Sequence, residues 1–512
     1  MPKQLLPLTV SAPGFYGLNT QQSGSILPPG WATKLDNFVF DNVGRIASRQ
    51  GSQQLNSSAQ SGTPTNRTIH EYIDASGASL NIFAGGNKLW KEVSGTITDI
   101  TGTATTPTGD NWQFANFNGW CVGYQDGHEP IFLETTASNF IDAADFGGAA
   151  SKTMYDGAMV ISAFGRTWTV YNNTLYYSDL LIHSYAGGSS GNFDLAKFWP
   201  NGMDEAVAIA VLENNLVVFG KQSLILYQNA DEVSNMSIVG GLDGVGCIAR
   251  DSIQMIGSDL VFLSDSGLRT LSRAIVEGSL PLSDISRHVR GDLINGALNE
   301  TAANIKSVYN PKQGFYLLSL PTTGQSWCFD LKFPNEDGSW KSSTWDIAPT
   351  GLMYSQDDTM YLSLTDGYLS KYTGYAHEAD STGLNGTAYT LNYEGVWNDF
   401  GVDFSNFLKI LKNVSLLGSG TPSSSIAFKW AVDYESTFHT RNLTFNQTAP
   451  ATYGTAKYDV DTFAASGSFE RIRSPLSKAG QVILYGFTTN INGYEFALQR
   501  LDILAKIGRL KI

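Results

Sequence analysis

Apolar and polar positions alternate in seven short segments of this chain that share one pattern. Each segment has an apolar strand, a tight turn of polar residues or glycine, and a second apolar or aromatic strand, which is typical of a β-hairpin. Successive segments begin roughly 40 to 55 residues apart, about the length of one four-stranded propeller blade. They begin near Leu80, Trp120, Thr167, Asn215, Asp259, Gly314 and Thr359. The spacing predicts a β-propeller of about seven blades, and its irregularity leaves six or eight open.

Four regions follow from the pattern along the chain. Residues 1–60 are predicted to be an extended N-terminal segment that contributes strands, with a turn at Asp41–Gly44. Residues 61–375 contain the hairpin repeats of the propeller, and residues 376–390 have the composition of a connector. Residues 391–512 have longer strands and predict a C-terminal β-sandwich or barrel-like domain. The predicted fold class is therefore all-β.

Two strand patterns and one helix pattern add detail. Every second residue from Ile426 to Val432 is apolar and bulky, the period of a half-buried strand. The turn chemistry at Asn490–Gly493 lies between two apolar strands and predicts a hairpin. Helix is scarce: a single surface helix is predicted after a capping Ser283, with apolar residues at Ile285, Val289 and Leu293.

Composition supports a large soluble β protein. The chain is 42% hydrophobic and 12% aromatic, only 16% charged, and contains 52 glycines, which suits short strands and frequent turns. It contains no apolar run of the roughly 18 residues that would span a bilayer, and its first residues do not resemble a signal peptide. We therefore expect synthesis in a cytoplasm and no membrane span. The net charge of −14 disfavours tight binding of nucleic acid.

The residue types that carry catalysis show no catalytic spacing. The three cysteines are far apart and lie in strand-like stretches, which predicts reduced core residues rather than ligands: Cys121, Cys247 and Cys328. The six histidines are isolated and predict no metal site: His70, His128, His183, His288, His377 and His439. We expect no catalytic, cofactor-binding or metal-binding residues and no cofactor.

Three short motifs have weak alternative interpretations. Gly187–Gly191 matches GxSxG by letter, but without a strand before it or a helix after it this segment is predicted to be a polar loop. The acidic pairs Glu336–Asp337 and Asp357–Asp358 are predicted to be turn residues. Ser264–Gly267 and Asp337–Trp340 resemble the turn boxes of sialidase-type propellers, in which the Asp caps a hairpin. The arginines that a sialidase would need are not selected by spacing, although candidates exist: Arg166, Arg250 and Arg269.

Ordered motifs across nearly the whole chain resemble one protein family. After Gly17–Thr20, the N-terminal stretch has a Pro29–Gly30 turn, Asn37 in a strand and the stop Arg49–Gln50–Gly51. Trp112–Phe117 is similar to the family's first-blade strand, and later blades and the last strand follow in the same order. In these features the chain resembles the tail nozzle and tail-hub proteins, or packaged-DNA stabilisation proteins, of short-tailed bacteriophages.

The resemblance implies a structural virion protein of a podovirus-like phage, not an enzyme. Family members form a ring, commonly a homohexamer, below the portal and adaptor proteins in the tail, near tail fibres or a spike. The ring closes the channel after genome packaging and conducts DNA during ejection, without sequence-specific binding. The implied location is the virion tail, after synthesis and assembly in the bacterial host cytoplasm.

Two other classes of function stay open at this point. A glycan-binding or glycan-cleaving propeller of the tail, acting in receptor recognition, would show aromatics and carboxylates in one cleft. A cellular propeller serving as a platform for protein interactions would show cleaner repeats and no large C-terminal domain. Loops are the default location for channel or docking contacts, and the long polar loops Ala186–Asn192 and Thr440–Ala456 are the candidates.

Overall fold

A computed structural model describes most of the chain. The described residues are 5–60, 65–104, 109–143, 145–146, 154–186, 188–277, 284–378, 387–401, 405–421, 424–445 and 469–510. Within them the chain is almost entirely β, and its two α-helices are short: α1 Leu271–Glu277 and α2 Arg290–Leu298. No helix in this described part is long and apolar enough to cross a membrane.

The N-terminal segment contains seven short strands. They are β1 Leu5–Ser11, β2 Gly17–Leu18, β3 Trp31–Ala32, β4 Lys34–Asp36, β5 Phe38–Phe40, β6 Ile46–Ser48 and β7 Ser52–Gln54. Strands β5 and β6 pair antiparallel around the predicted turn at Asp41–Gly44, where the Asp41 carboxylate accepts the backbone N–H groups of Val43 and Arg45. The prediction of strands in this segment and of that turn is confirmed.

Three four-stranded sheets follow. The first holds β8 Asn66–Ile73, β9 Ser79–Gly85, β10 Lys88–Val93 and β11 Thr96–Asp99. The second holds β12 Gln113–Phe117, β13 Trp120–Gln125, β14 His128–Leu133 and β15 Ile141–Asp142. The third holds β16 Val160–Ala163, β17 Arg166–Tyr171, β18 Thr174–Tyr177 and β19 Gly191–Asp194.

Four more strand groups complete the series. The fourth holds β20 Ala206–Leu212, β21 Asn215–Gly220, β22 Ser223–Gln228 and β23 Ser237–Asp243. The fifth has three strands, β24 Gln254–Ile256, β25 Asp259–Ser264 and β26 Gly267–Thr270. The sixth holds β27 Lys306–Asn310, β28 Phe315–Leu320, β29 Gln325–Asp330 and β30 Lys341–Trp345, and the seventh begins with β31 Gly351–Tyr354, β32 Met360–Ser363 and β33 Leu369–Tyr372.

These sheets form a closed ring. The first strand of each sheet lies beside the first strand of the next, and β31 of the last lies beside β8 of the first. Between the fourth and fifth sheets the contact runs through a short 3-10 helix, Arg250–Ser252. The ring is a β-propeller, as predicted, with six four-stranded blades and one three-stranded sheet in the described residues. Each of the seven predicted hairpins forms the second and third strands of one sheet.

Alternation along each blade strand explains the packing between blades. In β21, Leu216 and Val218 face the third blade, in an apolar cluster with Trp168. The residues between them, Val217 and Phe219, face the opposite way, into a cluster that includes residues of the fifth sheet. Because successive strand residues point to opposite faces of a sheet, an unbroken apolar run such as this one allows a blade to pack on both neighbours.

The propeller is closed by the N-terminal segment. Strand β7 pairs antiparallel with β33 and supplies the fourth strand of the seventh blade, with Tyr372 opposite Ser52. The chain residues that close the ring are therefore separated by more than 300 positions in sequence, since Gln54 pairs with Ser370. The fourth strand of the seventh blade thus comes from a long-range pairing, which covers the outer edge of β33.

Strand β34 His377–Glu378 pairs in parallel with β7 and is the fifth strand of the seventh sheet. The remaining strands belong to the C-terminal region. They are β35 Tyr389–Glu394, β36 Phe407–Ser419, β37 Ser425–Val432, β38 His439–Thr444, β39 Glu470–Pro475, β40 Ala479–Gly480, β41 Ile483–Ile491 and β42 Ala497–Leu510. In β37 the predicted alternation is confirmed: Ile426, Phe428 and Trp430 are buried and the residues between them are partly exposed.

Two sheets pack around one apolar core in this region. One has the order β39-β36-β42-β6-β5, with β1 beside β42 and β40 beside β36. The other has the order β4-β35-β41-β37-β38, and β4 joins it to β30 of the sixth blade. The core includes Leu416 and Ile503 from the first sheet and Phe428 and Phe487 from the second. The predicted sandwich is present, but N-terminal strands contribute to both of its sheets.

The prediction of a hairpin at Asn490–Gly493 is wrong, because the strands on either side of this turn do not pair with each other. Strand β41 before this turn pairs with β35 and β37, whereas β42 after it pairs with β36, β1 and β6. The turn therefore crosses from one sheet of the sandwich to the other. Turn residues specify that the chain reverses, but both edges of β41 are taken by other strands, which leaves no edge for β42.

Two further predictions need adjustment at their boundaries. Helix α2 begins at Arg290 after Val289, without a side-chain cap, and the predicted capping residue Ser283 lies outside the described residues. The predicted loop Thr440–Ala456 begins inside β38, because Thr440–Thr444 pairs with β37, while residues 446–456 lie outside the described part.

Replacing Gly51 with alanine is expected to destabilise the protein by about 1–3 kcal/mol, the usual cost of overpacking. A Cβ at Gly51 would lie 1.7 Å from the carbonyl oxygen of Ala376, a backbone atom that cannot rotate away. The measurement is denaturant unfolding of Gly51→Ala against Gly240→Ala, since a Cβ at Gly240, in strand β23, would meet nothing within 4 Å. Equal midpoints for the two variants would contradict the tight joint at Gly51.

Candidate functional site

The residues that carry the N-terminal resemblance meet where the propeller joins the sandwich. Asn37 lies between β4 and β5 in the left-handed region, with a φ of 67°. Its side-chain oxygen accepts a hydrogen bond from Nε of Arg49 at 2.9 Å and from the backbone N–H of Asp346 at 3.1 Å. Its amide nitrogen donates to the carbonyl of Thr390 at 2.7 Å. One side chain thus connects the sixth blade with strand β35 of the sandwich.

Arg49 is the largest buried cation of this joint, with 0% of its surface exposed. Its guanidinium donates to the carbonyl of Gln50 at 2.8 Å and to the carboxylate of Asp346 at 3.0 Å. It also lies over the ring of Tyr389, 4.1 Å from the centroid. A buried charge is costly unless it is paired and hydrogen-bonded. Because the Asp346 side chain is 55% exposed, the hydrogen bonds contribute more here than the ion pair.

His377 completes the shell of Arg49. Its Nε2 lies 3.0 Å from Nη2 of Arg49, and its Nδ1 lies 2.8 Å from the hydroxyl of Ser52. Since arginine only donates, Nε2 must accept and the ring proton of the neutral imidazole sits on Nδ1. Burial, followed by the charge of Arg49, lowers the pKa of His377 from 6.5 to about 4. The imidazole is therefore neutral at physiological pH and links Arg49 to strand β7.

A second polar site lies on the axis of the propeller. It is a cavity of about 290 Å³, walled by the inner strands of the first, second, sixth and seventh blades and by the fifth. The polar and charged side chains that line it are Arg67, Thr68, His70, Gln113, Arg250, Asp251, Gln254, Lys306 and Ser307. Such convergence of charges is the expected appearance of a candidate site at a propeller centre.

Asp251 holds two of the axial cations together. Nε of Arg250 lies 2.8 Å from one of its carboxylate oxygens, and Nζ of Lys306 bonds to the other. Although burial by itself opposes ionisation, the charges of Arg250 and Lys306 outweigh it and hold the pKa of Asp251 well below its usual range. Arg250 also donates to the carbonyl of Ala158 at 2.6 Å, which ties the fifth sheet to the start of the third blade.

The structure scatters most of the other residues considered from sequence. Of the three candidate arginines, only Arg250 lines the axial cavity. Arg166 donates to the carbonyls of Ser178 and Ser189 within the third blade, and Arg269 donates to the hydroxyl of Ser266. These three side chains therefore do not form the carboxylate-binding cluster of a sialidase.

The cysteines and histidines also lie apart. All three cysteines are buried and unpaired, as predicted, and burial raises the pKa of the Cys247 thiol to about 11. Two histidines belong to the sites above: His70 lines the axial cavity and His377 contacts Arg49. Within the described ranges no group of three or more His, Cys, Asp or Glu side chains is placed to hold a metal ion.

The short motifs are turn structures. Asp337 accepts the N–H and the hydroxyl of Ser339 at 2.9 and 2.6 Å, the hydrogen bonds of a capped turn. In the GxSxG-like stretch, the hydroxyl of Ser189 bonds to Asp179 at 3.0 Å and Gly191 begins β19, so no nucleophile elbow forms; Gly187 lies outside the described residues. Sequence reasoning found these turns and named Arg250 as a candidate, but it missed that Arg67 and Lys306, from other blades, lie in the same cavity, because such a convergence has no local signal.

Replacing Arg49 with lysine is expected to destabilise the protein by about 2–4 kcal/mol, because one ammonium group cannot satisfy the partners left unpaired in a buried site. The matched control is Arg473→Lys, at an exposed position of β39, which should change stability by less than about 0.5 kcal/mol. Denaturant unfolding of both variants measures the difference. Similar losses of stability in Arg49→Lys and Arg473→Lys would show that the several donors of the Arg49 guanidinium are not essential.

His377 is expected to make a contribution to stability that is lost as the pH drops from about 6.5 towards 4. The unfolded chain binds a proton at His377 over this window while the folded state does not, since its folded pKa is about 4. His377→Gln should therefore lose less stability than the parent protein between these pH values. In the control variant Ser52→Ala the imidazole stays titratable, so the steeper loss should persist. Parallel melting-temperature profiles for the parent and His377→Gln would contradict the assignment.

Comparison with known proteins finds structural similarity without sequence similarity. No family model matches the chain, and no curated protein matches it. Among solved structures, PorZ of the Porphyromonas gingivalis type-IX secretion system aligns over 70% of this chain and 44% of its own, at 13% identity and a TM-score of 0.38. The structure of YCF48 bound to D1 peptide aligns over 71% of this chain and 99% of its own, at 10% identity and a TM-score of 0.38. The Neurospora crassa Pan2 WD40 domain aligns over 64% of this chain and 96% of its own, at 9% identity and a TM-score of 0.39. The chain thus spans less than half of PorZ, and with TM-scores below 0.5 these likenesses carry no argument about function.

Proposed function

We propose that this chain is a structural component of the tail of a short-tailed bacteriophage, of the nozzle or hub type. In this role several copies form a ring below the portal and its adaptor. After packaging, the ring closes the channel and retains the packaged DNA, and it conducts this DNA during ejection. The proposal assigns no catalytic step to any residue of the chain.

The main observation in support of the proposal is the position of the residues that resemble the nozzle and hub family. Asn37, Arg49 and Gly51 are part of the N-terminal pattern shared with nozzle and hub proteins. Asn37 and Arg49 lock the propeller to the sandwich through their hydrogen bonds, and Gly51 approaches Ala376 closely where β34 joins the sheet of the seventh blade. A pattern devoted to a rigid joint supports a mechanical role better than a chemical one.

The continuity of the sheets supports the same role. Strand β4 joins the sixth blade to the sandwich, so that one sheet of nine strands runs through both. Strand β7 completes the seventh blade, and only three residues separate it from β6 of the other sandwich sheet. Subunits that wall a pressurised channel must transmit force without internal movement between domains, and shared strands provide this better than a flexible linker.

The charge balance supports a conduit rather than a DNA-binding surface. The chain carries 47 acidic and 33 basic residues, a net charge of −14. An acidic wall repels phosphate and does not retain DNA by counterion release. A ring of identical chains would use heterologous contacts, in which two different surfaces of the subunit meet.

The native mass of the purified protein tests this proposal. We expect a closed ring of about six subunits with an axial hole, alone or on addition of purified portal and adaptor proteins. Mass photometry and averaged electron micrographs measure both. The destabilised Arg49→Lys variant should assemble less completely than the surface control Arg473→Lys. A stable monomer that ignores the portal complex and instead binds or cleaves an oligosaccharide would replace this proposal with the glycan-recognition alternative.

A further inference from the structure

The axial cavity contains more positive charge than the surrounding chain neutralises. Three cations line it, Arg67, Arg250 and Lys306, against one carboxylate, Asp251. His70 adds no charge at neutral pH, because burial, only partly offset by its hydrogen bond to Asn116, lowers its pKa to about 4. This local surplus is notable in a protein whose net charge is −14.

Two of the three cations, Arg250 and Lys306, already bind the carboxylate of Asp251. Arg250 forms a bidentate contact with this carboxylate: its Nε lies 2.8 Å from one oxygen and its Nη2 lies 3.0 Å from the other. Lys306 bonds to the second oxygen and to the side chain of Asn111. The carboxylate thus has no capacity left to neutralise a third positive charge.

Arg67 is the cation without a carboxylate of its own. Its Nη1 donates to the neutral amide oxygen of Asn304, and its remaining guanidinium nitrogens make no hydrogen bond to any residue in the described ranges. Its charge acts on Lys306, a like charge, and on Asp110. The Asp110 carboxylate is already bonded to the backbone N–H groups of Gly86 and Asn87. Counting Asp110 with Asp251, three cations still face two carboxylates.

A neutral donor lies in the same cavity. The side-chain oxygen of Gln113 accepts the backbone N–H of Val160 at 2.9 Å, which fixes the amide orientation. Its NH₂ group has no hydrogen-bond partner within the described part of the chain. Groups of this kind bind oxyanions. They are the guanidinium of Arg67 with its open N–H groups, the fixed amide donor of Gln113 and the ammonium of Lys306 in the same cavity.

We propose that the axial cavity binds a small oxyanion, a phosphate or a short dicarboxylate, through Arg67 and Gln113. The bound anion would neutralise the surplus charge and connect β8 of the first blade with β12 of the second. A volume of about 290 Å³ is near the lower end of the range for small-molecule sites. This size favours a free small anion over a DNA backbone. The inference stands independently of the proposed assembly role.

Titration calorimetry of the full chain at low ionic strength tests the proposal. The probes are inorganic phosphate and succinate, with sodium chloride as the control for ionic strength. We expect saturable binding of at least one probe, and the preferred probe identifies the anion as phosphate or carboxylate. Arg67→Gln should weaken that binding by about tenfold or more, the effect of losing a charge-assisted hydrogen bond.

Two further variants make the result decisive. Gln113→Glu places a negative charge in the cavity at almost unchanged size, so it should abolish binding even if Arg67→Gln does not fold. Arg473→Gln removes the same charge from the exposed face of β39 and should bind like the parent protein. The proposal is overturned if neither probe binds above the effect of chloride, or if Gln113→Glu and Arg473→Gln bind equally well.

Discussion

The burial of the Arg49 guanidinium is the constraint on which the joint between propeller and sandwich depends. A fully buried charge is tolerated only when its donors are satisfied, and here the four acceptors come from three parts of the chain. They are Asn37 and Gln50 of the N-terminal segment, Asp346 after the sixth blade and His377 before the sandwich. All three parts must be in place at once, so Arg49 specifies a single arrangement of the two domains.

Strands of the N-terminal segment also cover exposed strand edges in both the propeller and the sandwich. Strand β7 covers the outer edge of β33 in the seventh blade. The sandwich takes β1 along β42, from Leu5 opposite Lys506 to Ser11 opposite Arg500. Each pairing covers a strand edge that would otherwise be open to unwanted association. It also makes folding depend on contacts of very high sequence separation, which form slowly.

The propeller axis shows a different solution to buried charge. There Arg250, Asp251 and Lys306 neutralise each other across the inner strands of different blades, and Arg250 also reaches the carbonyl of Ala158. These ionic contacts connect segments that belong to different blades. The joint at Arg49 is complete within the chain, whereas the axis retains a surplus cation, and this difference makes the axis the better candidate for a ligand.

Local pattern in the sequence determined the blade hairpins, because each is a strand, a turn and a strand within about 15 residues, and alternation reports which faces are buried. It also determined the strand at Ile426–Val432 and the inert cysteines. Only the tertiary structure decided that β7 closes the ring, that Asn490–Gly493 crosses between sheets, and that Arg67 meets Lys306 on the axis. These features join segments that lie from about 90 to more than 300 residues apart. Their energies come from pairing and burial between distant strands, which leave no periodic signal in either segment alone.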